Sequence, residues 1–150
     1  MAILDSSHVF FDCSATSCDE VLAFVADKAA ELGATSDAAA LLAGLKAREG
    51  EGSTGMQGGF AIPHCKSAAV SEPCIVVVRL ANPVAWETMD KSEVSCVIAL
   101  LIPDGDQGTE HLRILSKIAA ALLQESFCET VREATDAAQI VAAINEGLEN

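Results

Sequence analysis

Aromatic residues are scarce in this 150-residue chain, at 4% of the sequence against 51% hydrophobic residues overall. A core must therefore come from Ala, Val, Leu and Ile, which suits helices packed on a sheet within one domain of this length. Basic residues are also few, 9 against 22 acidic ones, for a formal charge of −13. Such a surface repels nucleic acid and anionic membranes and favours a protein partner with a basic face. No apolar run approaches the ~20 residues of a spanning helix, so membrane insertion is not expected. The opening segment MAILDSSHVFFD has no basic stretch and no long apolar stretch, unlike a signal peptide. There is no CxxC pair to support a zinc ribbon, no Walker GKS/T and no GxGxxG. Neither a metal nor a cofactor is implied.

Six cysteines are present: Cys13, Cys18, Cys65, Cys74, Cys96 and Cys128. Three disulfides are possible in principle. Cys74 in CIVVVRL and Cys96 in VSCVIALLI, however, lie in apolar runs where cysteine serves as a small hydrophobe. The expected setting is a reducing compartment, the cytoplasm.

HVFFD, from His8 to Asp12, has the look of a first strand. Ser17 and Glu20 form a capping box, followed by Val21, Val25, Ala29 and Leu32 at helical spacing, with Gly33 as the stop. Ser36 is expected to cap a second helix with an apolar stripe of Ala38, Leu41, Leu42 and Leu45, close to which Arg48 falls; Gly50 and Gly52 end it. A glycine-rich passage, GEGSTGMQGGFAIPHC, follows, and Pro63 ends its apolar stretch or sits at an edge. Cys74 to Leu80 and Val94 to Ile102 read as buried strands. After a turn at PDGDQG, Leu112, Leu115, Ala119 and Leu122 predict a helical face, with His111 near the helix start beside Leu115, Ile118 and Leu122. Segments around Phe127 to Ala134 and Asp136 to Glu146 complete the helices, the last ending at Gly147. With no internal repeat or linker, residues 1–150 are expected to form a single α/β domain with a mixed central β-sheet flanked by helices.

Three histidines are available for chemistry. His64 follows Phe60-Ala61-Ile62-Pro63 and so belongs at the mouth of a sheet, rigid yet accessible. A neutral imidazole is a good nucleophile at physiological pH, and attack on phosphorus gives a labile phosphohistidine. The plainer reading is a surface or structural histidine. His111 stands at a helix start, where amides and dipole favour an anion; the alternative is a core histidine. His8 carries no expected role. Arg48 can fork to two phosphate oxygens or simply offset a helix C-terminus. Ser53 and Thr54 offer hydroxyls, and Gly55, Gly58 and Gly59 allow close backbone approach to an anion. Cys65 points away from His64 on an extended chain, which argues against a catalytic pair.

Taken together, REGEGSTGMQGGFAIPHC resembles the signature of the fructose/mannitol-type enzyme IIA family of the sugar phosphotransferase system. The pieces are Arg48-Glu49, Ser53-Thr54-Gly55 and Ala61-Ile62-Pro63-His64. The likeness continues through Val84-Ala85-Trp86, CVIALLIP and EHLRILSKIAAALL, and spans nearly the whole chain. Gln57-Gly58-Gly59 stands where the family commonly has Gly-Asn-Gly, and Cys65 where it usually has Gly or Ala.

The resemblance implies that His64 is the phosphorylated residue, Arg48 the arginine that steadies the phosphoryl group, and His111 the second active-site histidine, with Ser53, Thr54 and Gly55 as phosphate-binding neighbours. It further implies phospho-HPr as donor and a cysteine of enzyme IIB as acceptor, in uptake of a fructose-, mannitol- or galactitol-like sugar. Three other functions fit the same residues: a regulatory, nitrogen-type paralog; a non-catalytic binding module on the same fold; and, more remotely, a Cys65 hydrolase.

Overall fold

The chain alternates strand-forming and helix-forming segments in a way that puts helices on both faces of one sheet. The computed structural model describes residues 2–105 and 109–149. Five strands run β1 (Val9–Cys13), β2 (Phe60–Ala61), β3 (His64–Ser67), β4 (Cys74–Val84) and β5 (Val94–Pro103). Five helices run α1 (Cys18–Glu31), α2 (Ala38–Glu51), α3 (Glu110–Ala121), α4 (Glu125–Glu133) and α5 (Ala137–Glu149). Of the expected turn at PDGDQG, residues 106–108 lie outside the described residues.

The sheet is mixed, as the sequence suggests. Its order is β1-β4-β5, with β2 and β3 following one another along the far edge of β5. β1 runs parallel to β4, β4 antiparallel to β5, and both β2 and β3 parallel to β5. β4 and β5 are apolar on alternate residues of both faces because each face is covered. Val76, Val78, Ala99 and Leu101 meet Val21, Val25 and Ala29 of α1 and Leu41 and Leu45 of α2. Ile75, Val77, Ile98 and Leu100 meet Ile114 and Ile118 of α3, Val131 of α4 and Ile140 and Ile144 of α5. The result is a three-layer α/β/α domain.

Local chemistry sets most boundaries, with some departures from the sequence reading. The Ser17 hydroxyl accepts the Glu20 amide at 3.1 Å, but the Glu20 carboxylate returns to Thr16, accepting its amide and its hydroxyl. α2 is capped by Asp37, not Ser36: Asp37 accepts the Ala40 amide at 3.0 Å, and the Thr35 hydroxyl accepts the Asp37 amide. α5 passes through Gly147 instead of stopping there. A Cβ at that glycine would lie 3.3 Å from the Ala121 Cβ, so the residue serves close packing of α5 on α3. On α3 the buried stripe is Ile114 and Ile118, continued by Leu122; Leu112 is 54% exposed because the start of α3 rims an opening beside β3.

Where the family resemblance departs, at Gln57-Gly58-Gly59, the chain makes a tight entry to β2. Gly58 and Gly59 both adopt positive φ, 67° and 85°, a region that favours residues without a Cβ. The Gly58 amide donates to Asp90 and its carbonyl accepts from Arg132, so this peptide is held from both sides.

Candidate functional site

The interruption between β2 and β3 creates the site. Pro63 brings no amide hydrogen, yet its carbonyl accepts the Leu100 amide at 2.9 Å and keeps the chain on the β5 edge. The Ile62 amide donates to Thr54. The Ile62 carbonyl turns instead to a side chain, accepting from His64 Nδ1 at 2.9 Å. That bond places the ring proton on Nδ1 and leaves Nε2 with a lone pair. Arg48, in the last turn of α2, donates its Nε–H to this Nε2 at 3.2 Å and its Nη1–H to the Gly52 carbonyl at 2.7 Å. The imidazole is therefore oriented by a bond at each nitrogen.

In the register of β3 on β5, His64 lies opposite Leu100, and Cys65 opposite Leu101. The two neighbours consequently face different layers. Cys65 packs among the α1 and α2 core residues, its thiol pushed above the ordinary range by burial. A Cβ on Gly44 of α2 would stand 2.7 Å from its Sγ, so α2 sits closely on β3 at this point. His64 is half-buried and faces a cavity of about 420 Å³. Burial first, then the charges of Arg48 and His111, hold its pKa below the ordinary 6.5; the Ile62 bond and Glu49 act in the other direction. A neutral nucleophilic imidazole at physiological pH follows.

Arg48, His64 and His111, which the sequence reading groups, all line this cavity. His111 enters from the first turn of α3, with its Nδ1 shielded from solvent. Ser53, Thr54 and Gly55 are not among the described lining residues. Four of their donors are committed nearby. The Ser53 hydroxyl donates to the Glu87 carbonyl and accepts the Gly55 amide, while the Thr54 amide and hydroxyl both go to the Glu49 carboxylate, at 2.8 and 2.6 Å.

Glu49 is the residue whose part the sequence did not disclose. Besides Thr54 it accepts the indole N–H of Trp86 at 3.1 Å, so one carboxylate ties the end of α2 to two separate loops. Only its pairing with Arg48 in the motif drew attention to it; the partner 37 positions away left no local signal.

All six cysteines are free, and five of them are buried. Among the described residues no cluster of His, Cys, Asp and Glu is arranged to hold a metal ion, and no helix is long and apolar enough to cross a membrane.

Residues 2–147 match the family model for the phosphoenolpyruvate-dependent sugar phosphotransferase system, EIIA 2. Three curated relatives illustrate the range. The 2-O-alpha-mannosyl-D-glycerate-specific EIIABC component of Escherichia coli is 31% identical over 87% of this chain, which spans only 20% of that longer protein. The fructose-specific EIIA component of Haloferax volcanii is 36% identical over 74% of this chain and 71% of its own length. The nitrogen regulatory protein of Pseudomonas aeruginosa is also 36% identical, over 74% of this chain and 73% of its own. Among solved structures, the nitrogen regulatory protein IIA-Ntr of Neisseria meningitidis superposes with a TM-score of 0.87 at 32% identity, covering 95% of this chain and 96% of that one. Enzyme IIA-Mtl of Escherichia coli, solved in complex with phosphorylated enzyme IIB-Mtl, gives a TM-score of 0.79 at 16% identity, with 95% and 97% coverage, a likeness of fold.

Proposed function

This chain belongs to the EIIA 2 family of the sugar phosphotransferase system, and on that premise we propose that it is a cytoplasmic phosphoryl carrier whose acceptor atom is Nε2 of His64. The observation that carries the reading is the pair of bonds on that ring, Nδ1–H to the Ile62 carbonyl and Arg48 Nε–H to Nε2. They present a lone pair at one defined atom, beside a guanidinium suited to phosphate oxygens.

The transfer has two steps. The Nε2 lone pair attacks phosphorus in line on phosphorylated HPr. The P–N bond to His64 forms as the donor's P–N bond breaks, and the electron pair returns to the donor ring. A thiolate of an enzyme IIB then attacks phosphorus, and the pair returns to His64. Catalysis is mostly positioning and charge stabilisation. Arg48 leaves Nε2 as the new bond forms and takes up a phosphoryl oxygen, and His111 fixes the orientation of the group. Ser53, Thr54 and Gly55, proposed from the family resemblance as phosphate-binding, support the site through the loop that Glu49 holds, since both hydroxyls and the amides of Thr54 and Gly55 are already in use. An acidic surface favours a donor with a basic docking face.

A second reading shares this chemistry but not its destination. The likeness to the Neisseria meningitidis nitrogen regulatory protein, at 32% identity over 95% of the chain, supports a regulatory paralog whose phosphorylation state controls other proteins. Labelled phosphoenolpyruvate passed through enzyme I and HPr, followed by a panel of IIB acceptors, separates the two. Labelling of His64 with onward transfer to a IIB supports the transport role, and labelling that no IIB accepts supports the regulatory one. Label on a His64→Gln variant that remains folded refutes both.

A further inference from the structure

A phosphoryl group on His64 brings two negative charges and three oxygens that need hydrogen-bond donors. Supply within the cavity is limited. Arg48 already spends Nη1 on the Gly52 carbonyl, and the Ser53 and Thr54 hydroxyls and the Thr54 and Gly55 amides are bonded within their own loop and to Glu49 and Glu87. One cation has not yet been assigned any part. Lys66 stands two positions after His64 on β3, so the two side chains leave the strand on the same face with Cα atoms about 7 Å apart. It is exposed and lines the same cavity as Arg48, His64 and His111. Among the described residues no hydrogen bond or ion pair engages it.

The charge around the cavity points the same way. The described lining holds Arg48 and Lys66 against one carboxylate, Glu51, in a chain whose net charge is −13. With Glu49 acting on His64 from just outside it, the lining itself still carries more cation than carboxylate in an otherwise acidic protein. Lys66 carries its three N–H donors on a flexible stem, able to meet the group from β3.

We propose that Lys66 is a phosphoryl-binding residue, its ammonium closing on the oxygens of the group carried by His64. This rests on the carrier reading above. Arg48 then holds the oxygens from α2, Lys66 from β3, and the carried group is kept as the dianion against the repulsion of the surrounding acidic surface.

The test compares wild type with Lys66→Met, Lys66→Arg and Lys117→Met, each loaded through enzyme I, HPr and phosphoenolpyruvate. Lys117 borders a separate groove between α3, α4 and α5, so its loss changes the net charge equally without touching the site. Phosphorus NMR follows the second ionisation of the phosphoryl group against pH, and single-turnover mixing follows uptake from phospho-HPr. Lys66→Met is expected to raise the phosphoryl midpoint by about half a pH unit and to slow uptake about three- to tenfold. Lys66→Arg should restore both, and Lys117→Met should leave both at wild-type values. Equal behaviour of Lys66→Met and Lys117→Met in phosphorylated protein overturns the assignment of Lys66 while leaving the carrier reading intact. A wild-type protein that takes up no phosphate removes the carrier reading, and this assignment with it.

Discussion

The Nε–H of Arg48 is bonded to Nε2 of His64 at 3.2 Å, so the guanidinium occupies the lone pair that the ring needs for attack. The contact orients the imidazole, and on the proposed carrier reading it is surrendered as a P–N bond forms. The proposed phosphorylation would thus exchange an N–H···N bond for N–H···O⁻ bonds, which are stronger because the acceptor is charged.

Replacing Arg48 by Lys keeps the charge but removes both the Nε–H and the fork. Single-turnover uptake from phospho-HPr should slow about tenfold, and Arg48→Gln, which removes the charge too, should slow it further, to about a hundredfold. Stopped-flow or quench measurements with either variant at wild-type rates would take Arg48 out of the mechanism.

The depressed pKa of His64 gives a signed pH dependence. Its ring should titrate below 6.5, so the nucleophile is already neutral at pH 7 and uptake should be level there. Uptake should fall only as pH drops through the depressed value. Between that value and 6.5 the unfolded chain binds a proton that the folded one refuses, so this group's contribution to stability is complete above 6.5 and is lost as pH falls through the window. Proton NMR of the ring resonances is the measurement, and a midpoint at or above 6.5 contradicts the burial argument.

Glu49 links α2, the 53–55 loop and Trp86, the chain's one tryptophan. In Glu49→Gln, three donors converge on an amide that is itself a donor at one end. A loss of roughly 1–3 kcal/mol is expected in denaturant unfolding, with a shift in tryptophan emission as the indole N–H loses its acceptor. Emission identical to wild type would mean that the indole does not depend on this carboxylate.

Two glycines of α2 should respond in opposite directions to alanine. At Gly44 a Cβ meets the Cys65 Sγ at 2.7 Å, so Gly44→Ala should destabilise by about 1–3 kcal/mol. Adding Cys65→Ala should recover much of that by removing the sulfur. At Gly50 a Cβ meets nothing within 4 Å, and Gly50→Ala should stabilise by roughly 0.5–1 kcal/mol. Thermal or denaturant midpoints decide; a Gly44→Ala protein as stable as wild type would show that β3 and α2 can part without cost.

Much of this architecture is legible in the residues. Apolar runs at 74–80 and 94–102 mark the central strands because both faces are covered, and the spacing of Val21, Val25 and Ala29 marks α1. Motif likeness picks out Arg48, His64 and His111, which do line one cavity. What escapes is contact between distant segments. Nothing near Glu49 announces Trp86, and nothing near Ser53 announces that the Glu87 carbonyl takes its hydroxyl. Helical period alone groups Leu112 with Leu115 and cannot say that the first turn of α3 overhangs an opening. Ser36 and Asp37 are both competent caps, and the choice fell to backbone geometry that composition does not reveal.

The break at Pro63 has a consequence for inheritance as well as for chemistry. A phosphohistidine exists as two positional isomers, and on the proposed carrier reading the selector is the carbonyl of residue 62, a main-chain atom that every amino acid supplies. No exchange of side chain at 62 can delete it. The isomer carried should therefore survive sequence drift around the site for as long as the strand keeps its interruption, and it should change only when the backbone itself is re-routed.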